Sequence, residues 1–344
     1  IVAFPQDGVL RRPGVLELLA EAARAQSLPL SLAAEDAARF LGRHEGRGGF
    51  DAVIVNPPRR GLEPAVRRAL AGLAAKALIY VSCEPRTLAR DLAHLARLGL
   101  RAERVLPLDM IPLSDAIECC ALLAPAAPPA PRVLFEDELT LALDKAPFED
   151  ACQGADSLAA RARQTLGHPE LTPLVALERD VSGVCWFAKT PTAAANLREA
   201  VTRAELSFSA LVSGISHKKG KIDGRRKAQQ TGLRYVRRSV QSGHSLLEVL
   251  VDPTSVRELR RLLASIGHPV LGDDRHGKAV TNRYFEHRHG LDRPLLHCAR
   301  LRLELPRGTL EIEAPLSADL AHVLGRLEPT DRRRRARPTS APSR

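Results

Sequence analysis

The sequence is defined first by what it lacks. No run of about 18 uncharged apolar residues occurs, so no membrane span is expected. No pair among Cys83, Cys119, Cys120, Cys152, Cys185 and Cys298 has C-x-x-C spacing, which argues against a zinc knuckle and leaves no metal implied. No secretory leader is recognisable, and six cysteines in so long a chain point to a reducing compartment, the cytoplasm. There is no internal repeat, which excludes a solenoid.

What is present is enough for about two domains. Apolar residues make up 44% and charged residues 26%, so the chain can bury a core and is not disordered throughout. The net charge is +11, which makes a polyanion, nucleic acid first, the expected partner, with no membrane and no obligate protein partner implied. That charge is uneven. Residues 1–124 hold 16 basic and 14 acidic side chains, and the remainder holds 35 and 26. The last fourteen residues carry six arginines against Asp331 and read as a disordered basic arm.

The proline-rich segment Pro125–Pro131 reads as a linker. It separates a first domain, residues 1–124, from a second, residues 132–318, with a helix end and the basic tail in 319–344. In the first domain, runs at Leu28–Ala34, Asp51–Val55, Ala77–Val81 and Ile117–Leu123 predict buried strands. Stretches at Gly14–Ala25, Pro64–Ala75 and Thr87–Leu98 predict helices, an alternation typical of a parallel α/β sheet. In the second domain strands are expected at Val133–Leu143, Gly183–Ala188, Phe208–Val212, Ser245–Val251 and Leu301–Leu305. Helices are expected at Thr192–Ala204 and Val256–Ile266, giving an α+β pattern.

Chemistry-bearing residues sit at the strand ends. Asn56-Pro57-Pro58 stops one strand abruptly, and the carboxyl ends of central strands are where open α/β sheets place reacting groups. Cys83 ends the next strand, with Arg86 and Arg90 opening the following helix, a setting that favours a thiolate. In the second half, His217–Lys227 holds six cations and one Asp in what reads as a glycine-containing loop. Its Lys218, Lys219, Lys221, Arg225, Arg226 and Lys227, with Arg234, Arg237 and Arg238, are candidates to track phosphates.

Three segments, Asn56–Gly61, Tyr80–Leu92 and Asp109–Glu118, together resemble the carboxyl half of the uracil-C5 RNA methyltransferases, the TrmA-like family. The resemblance implies a Rossmann-like sheet. It places the nucleophile, which adds to carbon 6 of uracil, on Cys83. The base that removes the carbon 5 proton falls on Glu118, and the cofactor is S-adenosylmethionine. Asn56 and Pro57 would hold the uracil edge, and Asp7 and Asp36 the cofactor. Asn56 stands where the family has an acid, Glu84 where it has Asn, and Leu113 and Ala116 where it has histidines. The chain opens on Ile1, and no Gly-rich strand–turn precedes Cys83. The parent protein is therefore expected to be longer, with the first strand and an intact cofactor site missing from this chain.

Arg132–Lys145, Leu177–Lys189, Phe208–Gly214 and Asp252–Gly277 resemble, in that order, the RluA-like pseudouridine synthases. This implies a pseudouridine-synthase-like RNA-binding domain. Glu178 stands at the catalytic Asp position, Ala176 and Val175 at the neighbouring Arg and His, and Phe208 at the Tyr that packs on the base. Arg260 keeps the polar pattern. Three functions follow as expectations: a uridine methyltransferase fused to a degenerate synthase domain that binds rRNA or tRNA; an active synthase using Glu178; or a non-catalytic RNA-binding or ribosome-assembly factor.

Overall fold

The computed structural model describes residues 15–27, 36–44, 46, 50–73, 75–110, 117–154, 156–226, 229–305 and 308–329. The chain divides into two compact units, residues 1–130 and 131–344. No helix among the described residues is long and apolar enough to cross a membrane. The expected strand at 28–34, and the basic tail from 331, lie outside the described residues.

In the first unit, helices α1 (Val15–Ala25) and α2 (Ala37–Gly42) precede strand β1 (Ala52–Val55). Helix α3 (Pro64–Gly72), β2 (Ala77–Ser82), α4 (Pro85–Arg97), β3 (Leu100–Leu108) and β4 (Glu118–Pro125) follow. Proline at the first helical position starts both α3 and α4, where its missing N–H has no partner to lose. The sheet order is β1-β2-β4-β3. Only β1 and β2 are parallel; β4 runs antiparallel to both β2 and β3. The expectation of a parallel sheet is corrected on this point, because β3 ends at Leu108 and β4 starts at Glu118, too short a span for the crossover of a dozen or more residues that a parallel return needs. Residues Val53, Val55, Leu78, Tyr80, Ala121 and Leu123 are buried on one sheet face. On the opposite face Ile54 and Leu122 remain 38% and 37% exposed, so these strands are buried on one side rather than two.

The second unit begins with β5 (Arg132–Glu136), β6 (Thr140–Lys145), α5 (Leu158–Leu166), β7 (Thr172–Val175), β8 (Ser182–Ala188), α6 (Pro191–Thr202) and β9 (Glu205–Val212). It continues through β10 (Lys219–Arg226), β11 (Gln229–Gln241), β12 (His244–Val251), α7 (Leu259–Ser265), α8 (Ala279–His289), β13 (Leu296–Leu305), β14 (Gly308–Glu313) and α9 (Ala318–Gly325). The segment Arg132–Lys145 is a hairpin, because the Asp137 carboxylate accepts from the amides of Leu139 and Thr140 and turns the chain. The main sheet runs β10-β11-β12-β9-β13-β8-β6-β5, with β14 beside β13 and β7 beside β8. Its centre is the parallel contact of β8 with β13. There Gly183 has φ 114°, and a Cβ on it would meet the Cys298 carbonyl oxygen at 2.1 Å. Only glycine lets the two backbones approach so closely. Trp186, Phe187 and Phe208 fill the core beneath.

Candidate active sites

In the first unit the sheet brings the expected site residues to one end. Ser82 is the last β2 residue paired with β4, opposite Cys119. Cys83, just past β2, and Glu118, the first residue of β4, are the next residues along the chain from that last pair. Glu118 also opens the β3–β4 ladder opposite Leu108. Val55 pairs with Tyr80, so Asn56 and Pro57 leave β1 at the same end. Cys83 and Glu118 are half-buried, Asn56 is exposed and Pro57 buried.

The two loops at this end are tied together. The Ser82 hydroxyl accepts from the Glu84 amide at 3.1 Å and donates to the Glu84 carbonyl at 3.2 Å, closing a tight bracket around Cys83. The Thr87 hydroxyl bonds the Arg59 carbonyl at 2.9 Å, which fastens the start of α4 to the diproline loop. Asp91 is the hub. Its fully buried carboxylate accepts from the Leu62 amide at 2.7 Å, the Tyr80 hydroxyl at 2.7 Å, and the guanidinium groups of Arg67 and Arg90. Burial, and then the Asp91 charge, push the Tyr80 phenol well above its usual range. Gly61, at φ 78°, passes so near that a Cβ would lie 2.4 Å from the Asp91 carboxylate. The expectation that Arg90 serves the thiol is corrected: its guanidinium faces Asp91 and the Arg60 carbonyl. Asp91 escaped the sequence reading, though a lone acid on the apolar face of a helix is a usable signal.

Of the expected cofactor residues, Asp7 lies outside the described residues. Asp36 caps α2, accepting from the Arg39 amide at 3.0 Å.

In the second unit Glu178 and Asp180 both face Arg260, each at 2.7 Å, and the buried Asp273 lies 3.7 Å from the same guanidinium. Burial opposes the charge on Arg260, but Asp180, Glu178 and Asp273 together hold its pKa above the usual value. The backbone of this loop is held just as firmly. Lys145, wholly buried, donates to the carbonyls of Ala146, Arg179 and Val181 at 3.0, 3.0 and 2.6 Å. Burial lowers its pKa to about 8. Arg293 donates to the Asp180 carbonyl at 3.0 Å and pairs with Asp319 at 2.6 Å. Phe208 lies on β9 between Val249 and Cys298 and is buried in the core.

The basic segment is not a loop. Lys219–Arg226 is β10, an edge strand paired along its length with β11. Glycine here serves packing: a Cβ on Gly220 would lie 2.4 Å from the Tyr235 ring, and one on Gly224 2.6 Å from Leu262. Several expected phosphate contacts already have partners. Lys221 pairs with Asp223, Arg234 with Glu205, and Arg238 with Glu248, while Arg237 donates to the Ser216 carbonyl. Lys218 and Lys219 are exposed, Arg225 and Arg226 end the strand, and Lys227 lies outside the described residues.

Residues 37–126 match the family model for tRNA (Uracil-5-)-methyltransferase. The chain is 50% identical over 74 residues to the 23S rRNA (uracil(1939)-C(5))-methyltransferase RlmD of Pseudomonas fluorescens, which covers 22% of this chain and 16% of that protein. It is 37% identical over 127 residues to the 23S rRNA (uracil(747)-C(5))-methyltransferase RlmC of Shewanella amazonensis, covering 36% and 33%. The chain thus spans a third or less of the length of these relatives. Among solved structures, human RNA Pseudouridylate Synthase Domain Containing 4 is similar over 57% of this chain and 93% of that chain, with TM-score 0.47 and 20% identity. Pyrococcus abyssi tRNA (uracil-54, C5)-methyltransferase, in complex with S-adenosyl-L-homocysteine, is similar over 31% and 26%, with TM-score 0.27 and 30% identity. Residues 37–126 are thus similar to uracil-C5 RNA methyltransferases.

Proposed function

We propose, from the similarity of residues 37–126 to uracil-C5 RNA methyltransferases, that this chain acts on carbon 5 of uridine in RNA. In this reading the first unit belongs to a 5-methyluridine methyltransferase, and the second, a degenerate synthase domain, holds the RNA. One observation supports it: Cys83 and Glu118 adjoin the last β2–β4 pair, Ser82 with Cys119, at the end of the sheet where Asn56-Pro57 leaves β1. A thiolate at Cys83 adds to carbon 6 of an extruded uracil, and the electron pair of the 5,6 double bond moves to make carbon 5 nucleophilic. Glu118 takes the carbon 5 proton, and the thiolate then leaves as the double bond reforms. Asn56 offers an amide to the base edge. S-adenosylmethionine supplies the methyl group in this chemistry. Of the two residues expected to hold it, Asp36 caps its own helix and Asp7 lies outside the described residues.

The second reading, an active synthase, is favoured by a different observation: Glu178 is held by Arg260 at 2.7 Å yet is 29% exposed, so a carboxylate is presented at that loop. RNA labelled with tritium at carbon 5 of uridine separates the two, because both chemistries release the label to water, one without any methyl donor. Cys83→Ala is expected to abolish release, and Glu118→Gln to slow it by about 100-fold or more, with Glu178→Gln neutral. Release that depends on Glu178 and ignores Cys83 assigns the synthase. Release from neither leaves a non-catalytic RNA-binding protein.

A further inference from the structure

The cations of the second unit fall into two sets. Most of those on the strands are matched: Arg234, Arg238, Arg300 and Arg302 each face a glutamate. On α8 and the turn before it the pattern differs. Lys278, Arg283 and Arg288 are exposed and have no acidic partner among the described residues. Val280, Tyr284 and Arg288 follow one another at helical i, i+4 spacing, with Arg283 and His287 between them, so they share one face. Val280 is 74% exposed and Tyr284 58%. The opposite side of the helix is anchored: Phe285 is buried, and the Asn282 amide group bonds the Gly272 N–H at 3.0 Å and the Asp273 carbonyl at 2.7 Å. Asp273 is the residue that faces Arg260, and Arg275, in the same turn, comes within 3.7 Å of Glu178. Tyr284 is braced edge-on by Phe285 and His289, with ring centroids 5.7 and 5.8 Å away.

An exposed aromatic ring set among cations without acidic partners fits a strand of bases and phosphates. We propose that the outer face of α8 binds single-stranded RNA beside the Glu178 loop, with Tyr284 stacking on a base and Lys278, Arg283 and Arg288 meeting phosphates. The inference rests on the reading that the chain acts on RNA, and it adds where the flank of the target lies.

The test is an anisotropy titration of the intact chain with a labelled oligouridine of about twelve nucleotides and a duplex RNA of the same length, over a range of salt. The single strand is expected to bind more tightly. Tyr284→Ala should weaken it about tenfold, while Tyr284→Phe, which keeps the ring, should not. The double change Arg283→Gln and Arg288→Gln should reduce the slope of log affinity against log salt by about 1.4, two phosphate contacts' worth. Unchanged Trp186 emission certifies the fold. If the wild-type chain binds RNA and these variants bind it equally well, the surface assignment is wrong and the RNA reading stands. If the wild-type chain binds no RNA, both fall. A concentration-dependent dimer that Tyr284→Ala abolishes would overturn the assignment in favour of a second copy.

Discussion

Replacing Asp91 by alanine should unfold the first unit, not merely weaken it. The carboxylate is completely buried and accepts from four different groups on α3, α4, β2 and the diproline loop. Its loss leaves the buried Arg67 guanidinium without its carboxylate, an event worth about 3–5 kcal/mol. The Leu62 amide and Tyr80 hydroxyl lose their acceptor as well, at about 1–3 kcal/mol each when buried. These terms are not additive, and about 4 kcal/mol is a conservative total. That is most of the stability of a marginal domain. At a urea slope of about 1.5 kcal/mol per molar, the midpoint should fall by roughly 2–3 M. The readout is alkylation of Cys119, a buried thiol on β4, followed by peptide mass spectrometry against urea. Trp186, the only tryptophan, lies in the second unit and reports that unit separately. An Asp91→Ala chain whose Cys119 stays protected to within about 0.5 M urea of wild type, under about 1 kcal/mol at that slope, would refute the claim that Asp91 organises the site.

Two further expectations follow from burial. Burial lowers the Lys145 pKa to about 8 in the fold, against the ordinary lysine value of 10.5 when unfolded. Between those values the unfolded chain binds more protons, so this group makes folding more favourable as pH rises through the window, and the advantage is lost as pH falls through 8. The ceiling is about 3 kcal/mol, and the three carbonyls that accept from the ammonium reduce it. The buried thiols Cys185 and Cys298, both pushed up by burial, act with the opposite sign above pH 9, so the informative quantity is the difference between wild type and Lys145→Met. A pH slope identical in the two chains would remove Lys145 from the account. On β4, Leu123→Ser should destabilise by about 3 kcal/mol and Leu122→Ser by less than about 1, because Leu123 is fully buried and its neighbour is 37% exposed. Equal midpoints for the two variants in the Cys119 assay would mean that the exposed sheet face is covered.

Long apolar runs made β2, β8, β9 and β12 legible in the sequence, because burial on at least one face leaves a periodic trace. Strand β3 left none: only its first residue is buried, and its charged, exposed edge reads as a loop. Strand β10 was disguised by Gly220 and Gly224, which look like loop residues but make room for Tyr235 and Leu262. At the candidate sites the residues at strand ends could be singled out one by one. That Cys83 and Glu118 come to the same end of the β2–β4 ladder could not, since an antiparallel register joins positions far apart in sequence. The cations were readable as charges but not as pairs, so the sequence favoured β10 and β11, where Lys221, Arg234 and Arg238 already face acids, and passed over Lys278, Arg283 and Arg288 at α8, which have no acidic partner among the described residues.

The two units solve the same mechanical problem in the same way. In each, the group that would react sits on a loop at a sheet edge, and a residue of opposite role, wholly or almost wholly buried, fixes that loop. Asp91 gathers the amide, hydroxyl and guanidinium donors around the Cys83 and Asn56 loops. Arg260, Lys145 and Arg293 gather the side chains of Glu178 and Asp180 and the carbonyls of residues 179 to 181. A reacting group must be held within a fraction of an ångström to be effective, and an exposed loop cannot do that by itself. The identity of the hub therefore constrains function as much as the identity of the reacting residue. The departure at Glu178 illustrates this: one more methylene would misplace a carboxylate on a loose loop. Here the hub holds the longer side chain at hydrogen-bond distance, so the substitution alone does not decide whether the second unit is silent. That decision falls to the tritium-release experiment with Glu178→Gln.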